Sequence, residues 1–321
     1  MRLGVFDPVF AKLSLAEMLT ELKRYPQITA IEVGTGGWPG SNHIDLDACL
    51  QSADAATTFK RQIEDAGLVI SALSCHGNPV HPDQTIAKDY DTVFRKTVRL
   101  AEKLGVRAVV TFSGCPGGGP EETRPNWITT PWPPEYSDML AWQWEQRLIP
   151  YWKDAGAFAA DHGIGMAIEA HPGFCVYNPE TAMQLRAEAG KSIGINLDPS
   201  HFYWQGIDLP AAIAYLGEAI FHVHAKDVAL NTSNVARTGV LDAKSYTRMQ
   251  DRSWLFRSVG WGHDELEWKR IASALRLAGY DHVISIEHED ALASIREGLG
   301  AAVATLSRVI LQEPPVEAWW V

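Results

Sequence analysis

The chain has 321 residues, a formal net charge of −11 and a pI near 5.5. A chain of this length buries a large core, so its fold requires neither disulfides nor a structural metal. An acidic surface repels phosphate backbones and anionic lipid, which sets nucleic acid and membranes aside as partners while favouring a divalent cation.

Short apolar, β-rich runs alternate with amphipathic helical patterns along the whole chain. The runs lie at 3–6 (LGVF), 29–33 (TAIEV), 68–74 (LVISALS), 107–112 (RAVVTF), 165–169 (GMAIE), 193–198 (IGINLD), 220–225 (IFHVHA) and 282–287 (HVISIE). Helical patterns fall near 14–24, 46–66, 86–104, 142–162, 178–189, 208–217, 264–278 and 293–312. Nearly continuous apolar strands, each followed by a helix, predict a parallel sheet. Eight such units predict an α/β fold, a (β/α)8 TIM barrel, as one domain over 1–312. Glycines at the DAG-LVI, KLG-VRA, DHG-IGM and LAG-YDH junctions stand where helix C-caps belong. The main rival is a doubly wound sheet, but no G-x-G-x-x-G follows the first run. GCPGGGP at 114–120 lacks the G-K-[ST] of a P-loop.

Two connections, 113–140 and 226–263, are too long for plain turns. Both follow strands, the fourth and the seventh, so both belong to the C-terminal face, where long loops act as lids or binding loops. The stretch PNWITTPWPPEY (125–136) has the aromatic and proline content of a lid. The tail 313–321, which ends EAWWV, is expected to pack on the barrel or on a partner subunit. The four cysteines (49, 75, 115 and 175) form no C-x-x-C pair and read as reduced thiols, consistent with a cytoplasmic protein. MRLGVFDPVF lacks the pattern of a signal peptide, and no apolar run reaches 18 residues.

In a barrel the chemistry sits where strands end. The fifth run ends in Glu169-Ala170-His171, the sixth in Asp198, the seventh in His224-Ala225-Lys226-Asp227, and the eighth in Glu287-His288-Glu289. Converging buried carboxylates are untenable unless a cation neutralises them. The candidate metal ligands are therefore Glu169, Asp198, His224 and Glu287. His224 is preferred over His222, which alternation places on the same face but deeper in the barrel. One imidazole with three carboxylates suits Mn²⁺, with Mg²⁺, Co²⁺, Fe²⁺ and Zn²⁺ as alternatives. His171 shares the face of Glu169 and is a candidate acid or base. Lys226 is a candidate for substrate oxygens, the plainer alternative being an ion pair with Asp227. His76 and Asn78 follow the third run and are candidates for substrate hydroxyls. Glu32, in the second run, is a further candidate.

IEAHPG (168–173), NLDPSH (196–201), HVHAKD (222–227), VGWGHDELEW (259–268) and SIEHED (285–290) together resemble the xylose isomerase-like sugar phosphate isomerase/epimerase family. That resemblance spans the whole chain and implies one divalent metal on Glu169, Asp198, His224 and Glu287. It also implies a substrate contact from His201 and proton transfer by Glu169 and Glu287 on opposite faces of a keto-sugar, through a metal-stabilised enediolate. The same enolisation would make the protein a lyase if a leaving group sits β to the carbonyl, as in a 3-oxo-glycoside or an inosose. HGNPVHP and the tryptophan-bearing tail are similar to the catalytic subunit of C-glycoside deglycosidases, which adds a small partner subunit or a homo-oligomer to the expectations. Ketose 3-epimerases often carry a further acid six residues after the first glutamate. Here that position is Cys175, which tilts the reading away from plain ketose 3-epimerisation. Endonuclease IV shares the barrel, but it needs three zinc ions and a basic DNA face.

Overall fold

The computed structural model describes residues 1–321. Its strands are β1 (Arg2–Phe6), β2 (Ile28–Gly34), β3 (Val69–Ser74), β4 (Ala108–Phe112), β5 (Gly165–Glu169), β6 (Ile193–Leu197), β7 (Ile220–Ala225), β8 (Asp227–Leu230), β9 (Trp254–Arg257) and β10 (Val283–Ile286). Eight of them close into a parallel barrel in the order β1-β10-β7-β6-β5-β4-β3-β2, with helices outside. These eight are the apolar runs expected as strands. Their outward side chains meet the helices in one core that includes Ile31, Leu73, Val109, Ile168, Ile195 and Ile284.

The helices start where the sequence offers caps. Asp83 accepts from Thr85 N–H at the start of Gln84–Leu104, and Ser294 with Glu297 makes a capping box at Ile295–Val309. Helix ends agree with the glycine punctuation. Gly105, at φ +73°, takes the left-handed conformation that closes the helix before β4, and Gly67, Gly163 and Gly279 do the same at the other three junctions.

Three departures have local causes. The expected single helix over 46–66 is two, Leu46–Gln51 and Ala53–Asp65, because Ser52 turns extended and its hydroxyl caps Ala55 N–H. The helix expected over 142–162 begins earlier, at Pro134, and has a wider π turn over Gln143–Leu148. There the buried amide of Gln143 donates to the carbonyls of Pro116, Gly117 and Asn126, tying the loop after β4 to this helix. The connection 226–263 is built rather than loose: β8 and β9 pair as an antiparallel ribbon, with the short helix Thr232–Thr238 between them. Four-residue strands carry too little alternation to show in sequence.

Beyond the buried Ile310, residues 311–321 are exposed, Trp319 and Trp320 among them. Arg276 holds the start of this tail through the Glu313 carbonyl at 2.8 Å. No helix is long and apolar enough to cross a membrane.

Candidate metal centre

The four expected ligands come together at the C-terminal mouth. One donor atom from each of Glu169, Asp198, His224 and Glu287 lies within 4.8 Å of the others. Parallel register does this: β5, β6, β7 and β10 are consecutive around the barrel, and their ends stand at similar height.

Glu169 is buried. Its Oε2 accepts from Asn196 Nδ2 at 3.0 Å and lies 3.0 Å from His76 Nε2 and 3.3 Å from His224 Nδ1. Its Oε1 is 3.3 Å from His201 Nε2. Burial opposes the charge, but His201, His224 and His76 outweigh it and hold this carboxyl well below the usual range. Asp198 caps a short helical turn through Ser200 N–H at 2.9 Å, and its other oxygen faces Lys226 at 3.0 Å and His201 at 3.2 Å. Glu287 reaches His224 Nδ1 at 3.0 Å and Lys226 Nζ at 2.8 Å.

His224 has two different sides. Nδ1 faces Glu169 and Glu287; Nε2 lies 3.0 Å from both oxygens of Glu32. Glu32 is completely buried on β2 and also meets His222 at 2.8 Å and Ser74 Oγ. Burial opposes its ionisation, yet His224 and His222 keep it well below the ordinary range. A carboxylate on Nε2 sets the ring's tautomer and turns Nδ1 toward the acids. The TAIEV run carries the signal for this residue, a lone acid in an apolar strand, but not its partner.

Lys226 is buried and pairs with Asp198, Glu287 and, at 3.2 Å, Glu289. The alternative partner, Asp227, does something else. Its carboxylate accepts from the backbone N–H groups of Val228, Gly260, Gly262 and His263 and from Trp268 Nε1, and it meets His263 Nδ1 at 2.8 Å. Asp227 thereby pins the VGWGH turn, and His263 stacks on Tyr203 at 3.6 Å between ring centroids.

His171 follows β5, with its ring centroid 4.2 Å from that of His201. Burial and the neighbouring His201 push its pKa down to about 3, so the ring is neutral. In His201 burial pulls the pKa down, but Asp198 and Glu169 lift it to about 9. His201 is fully buried beneath the carboxylates rather than open to the mouth.

Asn78, expected at substrate hydroxyls, is a correction. Its amide donates to the Cys115 carbonyl at 2.8 Å and accepts the Cys115 N–H at 3.0 Å, so it holds the β4 loop and does not line the cavity. Cys175 packs in the core beside Cys115 and does not line the cavity either. The 180 Å³ cavity above the acids has a polar wall of His76, Glu169, His171, Lys226, Glu287 and Glu289. Phe6, Trp38 and Phe112 form its apolar side. These aromatic walls were not legible as site residues, because an aromatic at or after a strand end looks the same whether it packs inward or faces a ligand.

The donor set fits a divalent cation. Asp198 Oδ2 and His224 Nδ1 are buried without a hydrogen-bond partner, held only by ion pairing, and both belong to the four-residue cluster. Three carboxylate donors and one imidazole are the chemistry that a hard to borderline cation takes.

The chain belongs to the xylose isomerase-like TIM barrel family, which it matches over residues 27–305. It is 40% identical over 288 residues to the uncharacterised protein YfiH of Bacillus subtilis (strain 168), covering 89% of this chain and 92% of that one. Among solved structures it is similar in fold to IOLI protein with a bound zinc atom (TM-score 0.64, 19% identity, 97% and 98% of the two chains). It is also similar to the probable 3-DHS dehydratase AsbF of Bacillus anthracis (TM-score 0.64, 17% identity, 96% and 99%). A third is D-psicose 3-epimerase with D-fructose (TM-score 0.62, 15% identity, 98% and 100%).

Proposed function

We propose that this protein is a divalent-metal-dependent sugar isomerase or epimerase acting on a keto-sugar. The observation that carries the reading is the meeting of Glu169, Asp198, His224 and Glu287 beneath a polar cavity at the barrel mouth. A cation held by these four residues, Mn²⁺ by preference, would supply Lewis acidity to the sugar carbonyl. The chain's own groups do the rest. Glu169 and Glu287 are the carboxylates placed to take a proton from the carbon next to the carbonyl and to return it. His76 and Lys226 line the cavity as hydrogen-bond donors to substrate oxygens. His201 stays beneath Glu169 and Asp198 as their counter-charge. Trp38 and Phe112, on the apolar side of the cavity, would pack against the sugar's C–H groups. The zinc bound to the IOLI protein and the sugar acted on by D-psicose 3-epimerase support this reading by analogy of fold.

A second reading has its own support. His171 is neutral and lines the cavity on the side of Glu169; its Nδ1 donates to the Pro172 carbonyl at 2.7 Å, which leaves Nε2 free to take the proton from the carbon next to the carbonyl. With a leaving group β to the carbonyl the protein would then be a lyase on a 3-oxo-glycoside or an inosose, a reading that the fold shared with a probable dehydratase supports by analogy. A cytoplasmic location suits either reading.

The test is to incubate the Mn²⁺-loaded protein with ketoses and 3-oxo-glycosides in D₂O. Deuterium next to the carbonyl, abolished by chelator, is the expected result. A product that differs from the substrate only by the deuterium it has gained marks an isomerase, and loss of water or an aglycone marks a lyase. No exchange with any member refutes enolisation.

A further inference from the structure

The N-terminal end of the barrel, opposite the metal centre, holds an open cavity of about 870 Å³. Its wall consists of strand starts and the short connections that lead into them, and four of these residues, Gly105, Gly165, Gly217 and Gly279, have no side chain with which to cover the barrel end. Phe221 lies at its base, half-buried, and packs on Ala72, Ala108, Val110 and Ala167 inside the barrel. Val69, Ile70, Val106 and Val283 continue the apolar lining. Two arginines of the wall, Arg2 and Arg107, are exposed and have no ion-pair partner, although the chain carries a net charge of −11. The two acids of the wall, Glu218 and Asp281, are already held by Arg186 and Arg276.

The C-terminal tail starts at the rim of this cavity. The Arg276 guanidinium donates to the Leu311 and Glu313 carbonyls and also to Asp281 in the cavity wall, at 3.1 Å. From there the tail runs clear of the barrel, with Val316, Trp319 and Trp320 exposed by 78%, 83% and 67%. Two adjacent tryptophans left in water mark a surface that binds something. Residues 311–321 contain two acids, Glu313 and Glu317, and no lysine or arginine. An acidic, aromatic segment complements a cavity that is apolar at its base and carries free arginines in its wall. Within one chain the two lie side by side and unjoined. We propose that the protein is a two-fold dimer joined through its N-terminal faces, in which the tail of each copy seats Val316, Trp319 and Trp320 in the cavity of the other, with Glu313 and Glu317 toward Arg2 and Arg107. Two-fold symmetry makes the exchange reciprocal, so both tails and both cavities are used and the assembly closes. Each tail would bury roughly 400 Å² of its own surface and a similar area of cavity, so the pair would bury roughly 1,600 Å², the size of a specific interface. Both metal sites face away from the contact, and the proposal does not depend on what reaction they carry.

The experiment measures the mass of the untagged chain by sedimentation across the micromolar range. Twice the 35.4 kDa of one chain is expected. Removal of residues 314–321 takes away no core residue, since the core ends at Ile310, and is expected to give a monomer with the circular dichroism of the full chain. A fluorescein-labelled peptide of residues 311–321 is then expected to bind this truncated chain. Arg2→Glu together with Arg107→Glu, both at exposed positions, is expected to weaken the peptide by roughly tenfold or more and to leave the circular dichroism unchanged. A full chain that stays monomeric overturns the exchange, whether its tail is loose or is shown by hydrogen exchange to be protected in its own cavity. A dimer that survives truncation, or a peptide that is not bound or is bound equally well by the arginine variant, overturns the cavity as the seat of the tail.

Discussion

Glu32 decides which nitrogen of His224 the acidic cluster sees. Its carboxylate occupies Nε2, so Nδ1 faces Glu169 and Glu287. Substitution of such an outer partner lowers metal affinity by about 10–100-fold. Glu32→Gln is expected to weaken Mn²⁺ binding by that order in titration calorimetry, and Glu32→Asp to weaken it less. An unchanged Kd in Glu32→Gln would remove the orienting role. His224 also sets a pH dependence. Burial opposes its charge, but Glu32 and Glu287 outweigh it and keep the ring protonated well above the ordinary imidazole range in the metal-free protein. A cation on Nδ1 must displace that proton, so uptake releases protons and apparent affinity rises with pH from neutral upward. Calorimetry in buffers of different ionisation enthalpy reads the proton count directly. Affinity that falls with rising pH would contradict the assignment of Nδ1.

At the scale of elements, one carboxylate organises the largest insertion on the mouth. Asp227 gathers four backbone N–H groups from β8 and the turn before Glu265–Leu277, and the indole of Trp268. A buried carboxylate so surrounded is costly to alter. Asp227→Asn reverses half of its hydrogen-bonding pattern and is expected to destabilise the protein by about 3 kcal/mol, read from urea unfolding. Proteolysis should then open first near 258–263. The expected alternative, an Asp227–Lys226 ion pair, predicts a much smaller loss. The π turn at Gln143 plays the same part for the loop after β4, and Gln143→Ala should loosen 116–126 in hydrogen exchange without changing the barrel.

For the whole molecule, a site that gathers Glu32, Glu169, Asp198 and Glu287 around one lysine and a few histidines is under-neutralised. Mn²⁺ at about 100 times its Kd stabilises the folded state by about 2.7 kcal/mol, so melting should shift up by a few degrees and return on chelation. No shift with Mn²⁺, Mg²⁺, Co²⁺, Fe²⁺ or Zn²⁺ would count against a metal centre. All four cysteines are buried, and burial pushes Cys75 up to about 12, so native protein should react slowly with Ellman's reagent and release four thiols on unfolding.

The barrel and its strand-end acids were legible in the chain because both rest on local rules. Continuous apolar runs mark strands buried on both faces, glycines mark helix ends, and the residue that ends each strand is known once the strand is. That His224 reaches Glu169 and Glu287 while His222 reaches Glu32 agrees with their depths along the strand. What distant segments do to one another was not legible. Only the closed barrel brings Glu32 of β2 against His224 of β7, spends the amide of Asn78 on Cys115 and gives Lys226 to Asp198 and Glu287 instead of its neighbour Asp227. An apolar chamber beside the metal cavity is of the same kind. Its walls come from residues 171, 246–256 and 289–292, each ordinary in its own stretch, and the space between them exists only after the ribbon β8–β9 has folded over the mouth.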